Sequence, residues 1–341
     1  MSRGEPLTSS IRMDISVIVP TRNRSALLAL TLRSVLRQRD VDLEVIVVDE
    51  ASTDDTPKML AALADARVRV IRHDTPSGVA IARNRGAAEA HGDWLAFLDD
   101  DDLWAPEKLV CQLQAAQQVG RDWAYTGAVV INMHGQILRV QRPLPPEEIV
   151  TALPRYNAIP GGGSNVVVRR TTWILVGPFN TRLRNTEDWE MWIRLAKHGP
   201  PACVCSPLIA RRLHHSNSTL DISEIVRGTQ LIEALHHTTA DWGRLHRWFA
   251  HSCLRAGRRR AALGQFARAA VRGQQRAVAS DLSAILQGIV AGRTPKSSDH
   301  SRDDAWLGMA TAWIQEQLHG AHGSTEDPRS LSDKPPTPEA T

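Results

Sequence analysis

"AFLDDDDLWAP", residues 96–106, sets the reading of this chain: an apolar run ends in four consecutive aspartates. Like charges repel, so such a run is either a solvated turn or a place built for a cation. Carboxylate and carbonyl oxygens are the ligands that Mg²⁺ and Mn²⁺ prefer. An acidic run ahead of a Trp-Ala-Pro turn is, by itself, an ordinary solvated loop. What lies upstream changes the balance.

"ISVIVP" (15–20) and "LEVIVVD" (43–49) are continuous apolar runs that read as buried, parallel strands, and "VRVIRH" (68–73) and "WLAFLD" (94–99) read as two more. Helical segments separate them: "SALLALTLRSVLRQ" (25–38), a helix opened by Thr56 and Pro57, and "GVAIARNRGAAEAHG" (78–92). Alternating strands and helices predict an α/β sheet with right-handed crossovers. Ligands bind beyond the carboxyl ends of the strands in such sheets. Three polar clusters fall at those ends: "PTRNR" (20–24), "DEASTDD" (49–55) and "DDDD" (99–102).

After Trp123 the pattern changes. "WAYTGAVVIN" and "GQILRV" predict a hairpin turning at 132–135, and "GGGSNVVVRR" (161–170) a glycine loop feeding a strand. "TEDWEMWIRLAKHG" (186–199) is helical, with Trp189, Trp192, Ile193 and Ala196 on one face, and "ACVCSPLIARRL" (202–213) is extended.

Several function classes drop out. The first strand is not followed by GxGxxG, and no GxxxxGK[ST] occurs, which argues against a dinucleotide-binding dehydrogenase and a P-loop NTPase. The four cysteines, Cys111, Cys203, Cys205 and Cys253, form no CxxC pair and suggest reduced, mostly buried thiols. A net charge of +4 over 341 residues gives no case for nucleic acid. No apolar run is long enough to span a membrane, and the first residues carry no apolar signal core, so a cytoplasmic protein is expected.

The segments "ISVIVPTRNR", "LEVIVVDEASTDDT", "GVAIARNRGAAEAHGDWLAFLDDDDLW" and "NTEDWEMWIRLAKHG", in that order, resemble family 2 glycosyltransferases over roughly residues 14 to 216. The resemblance implies the GT-A fold, with a mostly parallel central sheet and flanking helices. It also implies inverting, metal-dependent transfer of a hexose from a nucleotide-diphosphate sugar, UDP first, to an acceptor hydroxyl. Pro20, Thr21 and Asn23 then line the nucleotide pocket, and Asp49 meets the base. The family often continues with Asp-Gly-Ser, where this chain has Glu50, Ala51 and Ser52. Arg83 and Asn84 match an "ARN" segment near the phosphates. Asp99 and Asp101 match the DxD motif: Asp101 is the expected ligand of Mg²⁺ or Mn²⁺, and Asp99 or Asp100 faces the ribose. Asp102 either supports the ligand or caps a helix.

On the acceptor side the resemblance assigns the catalytic base to Asp188, with Glu187 as runner-up. Gly162 and Gly163 let backbone approach the sugars, and Trp189 either stacks on a sugar or packs in the core. His214 is a metal or diphosphate contact, its neighbour His215 an alternative. The acceptor would be a glycan, a lipid-linked sugar or a small molecule. Two alternatives stand beside this reading: a sugar nucleotidyltransferase, whose glycine-rich first loop is missing here, and a non-catalytic nucleotide-sugar-binding protein.

The expected organisation is an N-terminal tail (1–13), a transferase domain (14–220), a helical C-terminal extension (221–293) and a polar tail (294–341) with a helix over 303–318. Nine arginines and no acid lie between Asp241 and Asp281. The simple reading is a solvated basic face, and peripheral contact with the inner face of a membrane is the alternative.

Overall fold

The computed structural model describes residues 14–214, 221–291 and 300–319. The first part alternates β1 (Asp14–Thr21), α1 (Ser25–Leu36), β2 (Asp42–Glu50), α2 (Thr56–Ala62), β3 (Val68–His73), α3 (Val79–Ala88) and β4 (Trp94–Phe97). Then come β5 (Leu103–Trp104), α4 (Lys108–Gln118), β6 (Trp123–Ile131), β7 (Ile137–Gln141), α5 (Pro146–Ala152), β8 (Val167–Arg169), α6 (Arg170–Val176), α7 (Glu187–His198) and β9 (Ala202–Arg212). Five helices follow: α8 (Ile222–His236), α9 (Trp242–Arg255), α10 (Arg259–Ala269), α11 (Gln275–Ala291) and α12 (His300–His319).

The strands form one sheet in the order β3-β2-β1-β4-β8-β6-β9-β5, with β7 paired to β6. β3, β2, β1 and β4 are mutually parallel. Beyond them the directions mix: β8 is antiparallel to β4 and β6, β9 runs parallel to β6, and β5 is antiparallel to β9.

Side chains of a strand point to alternate faces, and both faces here are apolar. Val17, Val19, Val45 and Val47 pack with Leu28, Leu32 and Val35 of α1 and Leu109 and Leu113 of α4. Ile18, Ile46, Val48 and Phe97 pack with Ala80 and Ala87 of α3 and Trp192 and Ile193 of α7. That double burial is why the strands read as unbroken apolar runs. The register pairs Thr21 with Asp49 and Ile18 with Phe97, so the three polar clusters leave the sheet side by side.

Two elements go beyond the sequence reading. Leu103 and Trp104, the latter read as the start of a Trp-Ala-Pro turn, form β5 against Ala210 and Ile209, a strand too short to leave a pattern. The helix expected over 303–318 lies within α12 and docks on the sheet, Ala310, Trp313 and Ile314 packing with Leu103, Val129 and Ala210. Trp313 Nε1 donates to the Pro207 carbonyl at 3.0 Å. α8 is held to α7 by His236 Nε2 and Glu190 Oε1 at 3.0 Å. Among the described residues, no helix is long and apolar enough to cross a membrane. The cysteines are free, but of the four only Cys253 is buried and Cys205 is exposed.

Candidate active site

A cleft of about 880 Å³ opens at the carboxyl ends of β1 and β4. The aspartate run forms its floor, the first turn of α7 and the glycine loop one wall, and the loop after α5 with the start of α9 its far rim.

The four aspartates have four environments. Asp99 is the most exposed, and its carboxylate accepts from Arg83 Nη2. Asp100 accepts from Thr21 Oγ1 at 2.7 Å and from Arg24 Nη1 at 2.8 Å. Burial pushes its pKa up to about 6, against the pull of Arg24. Asp101 Oδ2 meets Arg24 Nη1 at 2.9 Å and His214 Nε2 at 2.8 Å. Burial would raise Asp101 too, but the His214 hydrogen bond and Arg24 outweigh it and hold the carboxyl below its ordinary value. Asp102 accepts from Ser164 Oγ at 2.6 Å and from the Arg212 backbone N–H at 2.9 Å. Its interior position raises its pKa well above normal, Asp101 and Asp99 adding to the effect of burial.

Oxygens of Asp99, Asp101 and Asp102 lie within 4.8 Å of one another. Such a group of hard oxygens, with the His214 imidazole beside it, suits Mg²⁺ or Mn²⁺. The Arg24 guanidinium already lies between Asp100 and Asp101, answering the repulsion the sequence raised.

Arg83 is buried and reaches two ways, to Asp99 and, at 2.8 Å, to Glu187 Oε1. Gly163 makes room for it, since a Cβ there would lie 2.5 Å from Arg83 Nη2. Asp188 follows Glu187 in the first turn of α7. Its Oδ1 accepts from the Trp189 N–H at 2.6 Å and its Oδ2 from Asn157 Nδ2 at 3.3 Å. A helix N-terminus favours a carboxylate, yet burial, with Glu187 adding repulsion, drives the Asp188 pKa up to about 7. A carboxyl near neutrality can both ionise and accept a proton, as a general base must. Gly162, at φ 63°, would bring a Cβ 3.3 Å from Asp188 Oδ2.

Pro20, Thr21, Arg83, Asp99, Asp100, Asp101, Glu187, Asp188, Gly162 and Gly163 all line this one cleft. Other expected residues sit elsewhere. Asn23 is exposed and knits loops together, its Oδ1 accepting from the Thr53 N–H at 2.7 Å. Asn84 exchanges two hydrogen bonds with the Phe179 backbone, at 2.9 and 2.8 Å, and so fastens α3 to the loop after α6. Asp49 is buried, paired with Arg72 and accepting from the Ser52 N–H at 2.9 Å. Trp189 is 4% exposed and its Nε1 donates to the Leu153 carbonyl at 2.6 Å. Unlike Asn23, Asn84 and Asp49 it lines the cleft, with most of its side chain packed in the core. His215 lies outside the described residues.

Sequence reasoning gave no role to Arg24, Glu50, Asn157 or Ser164. Arg24 had a signal, being the last residue of a polar cluster at a strand end. Glu50 accepts from the Gly78 N–H at 2.7 Å and anchors the start of α3. Ser164 follows the three glycines in the loop the sequence marks, where only the glycines drew a role, and Asn157 reaches the site from a loop without a motif.

The chain matches the family model Glycosyl transferase family 2 over residues 16–174. It is 31% identical over 209 residues to an uncharacterized glycosyltransferase of Haemophilus influenzae, covering 60% of this chain and 70% of that one. The chain belongs to glycosyl transferase family 2. Another family relative, the Escherichia coli UDP-Glc:alpha-D-GlcNAc-diphosphoundecaprenol beta-1,3-glucosyltransferase WfgD, is 26% identical over 206 residues, 60% of this chain and 79% of the relative. S. aureus TarS 1-349, solved in complex with UDP-GlcNAc, superposes with a TM-score of 0.53 at 15% identity over 90% of this chain and 82% of that one. That likeness places this family 2 glycosyltransferase in the GT-A fold and spans the C-terminal helices as well as the sheet.

Proposed function

We propose that this glycosyltransferase moves a hexose from a UDP-sugar to a hydroxyl of a glycan acceptor, with inversion at the anomeric carbon, in the building of a polysaccharide or lipid-linked glycan. One observation carries the reading: Asp99–Asp101 and Asp188 face a single cleft, with Arg83 bridging Asp99 to Glu187 beside Asp188. The printed donor of WfgD and the UDP-GlcNAc bound to TarS support the choice of donor.

In this reading Thr21 and Asp100 bound the ribose end. Asp101, His214 and Asp99 would hold Mg²⁺ or Mn²⁺, which offsets charge on the leaving diphosphate. The acceptor oxygen bonds to the anomeric carbon as the bond from that carbon to the UDP oxygen breaks, and the acceptor proton passes to Asp188. Two-sided geometry of this kind, with a carboxylate opposite the leaving group, is what inversion requires. Asp49 meets the base only if Arg72 yields part of its hold, so Arg72 shares that end of the site.

The test is release of free nucleotide from UDP-, GDP- and dTDP-sugars with Mn²⁺ and a glycan acceptor. Metal-dependent UDP release, lost in Asp101→Asn and in Asp188→Asn while the latter still binds UDP, is the expected result. Pyrophosphate release would indicate a nucleotidyltransferase. UDP binding without turnover under any acceptor would indicate a binding protein, and no UDP binding at all would overturn the donor assignment.

A further inference from the structure

We infer that Arg24 is a resident counter-cation of the cleft, which a divalent ion must displace from Asp101 and which the donor diphosphate draws away. The inference rests on the metal-dependent transferase reading above and adds a residue that makes metal binding depend on the donor.

Arg24 Nη1 lies 2.8 Å from Asp100 Oδ1 and 2.9 Å from Asp101 Oδ2, so one nitrogen sits between the two carboxylates. Asp101 Oδ2 also meets His214 Nε2 at 2.8 Å. The carboxylate expected to bind the ion is therefore already held by a cation. A guanidinium keeps its charge at any working pH. Two cations on one carboxylate oxygen repel each other. The ion takes that oxygen only as Nη1 lets go of it.

The backbone of Arg24 is fixed and its side chain is not enclosed. Its carbonyl accepts from the Leu28 N–H at 2.9 Å where α1 begins, and Leu28 is buried in the core. The Arg24 side chain is 23% exposed and lines the cleft. That of Arg83 is 3% exposed and clamped between Asp99 and Glu187. Two arginines thus answer the same aspartate run in different ways. Arg83 is locked, whereas Arg24 can turn about its side-chain bonds while the chain stays in place. Once off Asp101, the guanidinium needs another anion. The donor supplies one, because guanidinium N–H groups match phosphate oxygens bidentately. The ion and the donor therefore assist each other: the ion takes Asp101 from Arg24, and the diphosphate gives Arg24 a new partner. Coupling of this kind is reciprocal, so each ligand tightens the other by the same factor.

Calorimetry of the full chain with Mn²⁺, with and without saturating UDP, tests this. Without UDP, Arg24→Gln should bind Mn²⁺ about fivefold tighter than wild type or better, because a competing charge has gone. UDP should then tighten Mn²⁺ binding by a smaller factor in Arg24→Gln than in wild type. Damage to the site would act the other way and weaken Mn²⁺. Arg24→Lys keeps the charge and should stay within about twofold of wild type. Arg22 lines the same cleft and forms no ion pair among the described residues. Arg22→Gln therefore removes an equal charge without freeing Asp101, and Mn²⁺ affinity should again stay within about twofold. The inference is overturned if Arg24→Gln binds Mn²⁺ no tighter than wild type, if Arg22→Gln tightens it as much, or if UDP acts equally on Arg24→Gln and wild type. Mn²⁺ binding in no protein, with or without UDP, would overturn the metal reading and this inference with it. Failure of UDP alone to bind strikes the donor assignment, and the arms without UDP then decide whether Arg24 competes with the ion.

Discussion

Arg83 and Glu187, 104 positions apart in the chain, form a buried ion pair with Nη1 and Oε1 2.8 Å apart. The other arm of the same guanidinium holds Asp99. One side chain thus couples the floor of the cleft to the helix turn that carries Asp188. Lysine has one ammonium and cannot span both acids. Arg83→Lys should keep the fold and lower turnover about 100-fold, the cost of a misplacement near 1 Å in a catalytic site. Arg83→Ala leaves Glu187 buried without its partner and should cost about 3–5 kcal/mol of stability. Chemical denaturation paired with steady-state kinetics separates the two effects. Equal turnover in wild type and Arg83→Lys would show that the bridge does not position the site.

Asp188, with its pKa near 7, predicts a pH profile. The base must be ionised, so turnover should rise with pH through about 7 and level off above it. Stability should move the other way. The folded pKa lies above the unfolded value, so the folded state keeps a proton that the unfolded state has lost. Stability therefore falls between about pH 4 and 7. Asp188→Asn removes the charge that burial opposes. It should abolish turnover by about 100- to 10,000-fold and yet melt higher than wild type at pH 8. A lower melting temperature for Asp188→Asn at that pH would mean the carboxylate is stabilised by contacts outweighing its burial.

Ala51 stands at φ 55°, a left-handed conformation that costs a residue with a Cβ roughly 1–2 kcal/mol. It occupies the stretch where the family often has glycine. Ala51→Gly should relieve the strain at the expense of a more flexible unfolded chain, for a net gain of about 0.5–1 kcal/mol. Because Ser52 and Asp49 are hydrogen-bonded across this turn, UDP affinity should change little. A destabilised Ala51→Gly in a melt would show that the turn is held by its side chain.

How much of this was legible without coordinates follows from the range of each interaction. β1, β2 and β4 announce themselves because both faces are buried, and Asp99, Asp101 and Asp188 because their types and order match a family pattern. Asn84 belongs to the same pattern, yet its amide closes on the Phe179 backbone 95 residues away, a contact no local spacing encodes. Trp189 had two readings of equal standing, and the structure keeps it at both places, packed in the core with Nε1 on the Leu153 carbonyl and lining the cleft. Arg244 was hidden differently: among nine arginines on a helical stretch, no local pattern marks the one that lines the cleft.

The docking of α12 makes a final prediction, because the segment carrying it reads as a polar tail. Trp313 is 8% exposed and packs beside Ala310 and Ile314 against Leu103, Val129 and Ala210. Gln317 Nε2 donates to the Trp104 carbonyl at 3.3 Å, so the helix braces the short strand that follows the aspartates. Trp313→Ala should cost about 3–5 kcal/mol, the usual range for emptying a buried aromatic site. Trp313→Phe retains most of the apolar contact and loses the hydrogen bond to Pro207, which should cost about 1 kcal/mol plus any mismatch in shape. Thermal melts of the two variants therefore separate cover from hydrogen bonding. If Trp313→Ala melts within 1 °C of wild type, α12 contributes nothing to the core, and the sheet face made by β5, β6 and β9 must be covered in another way.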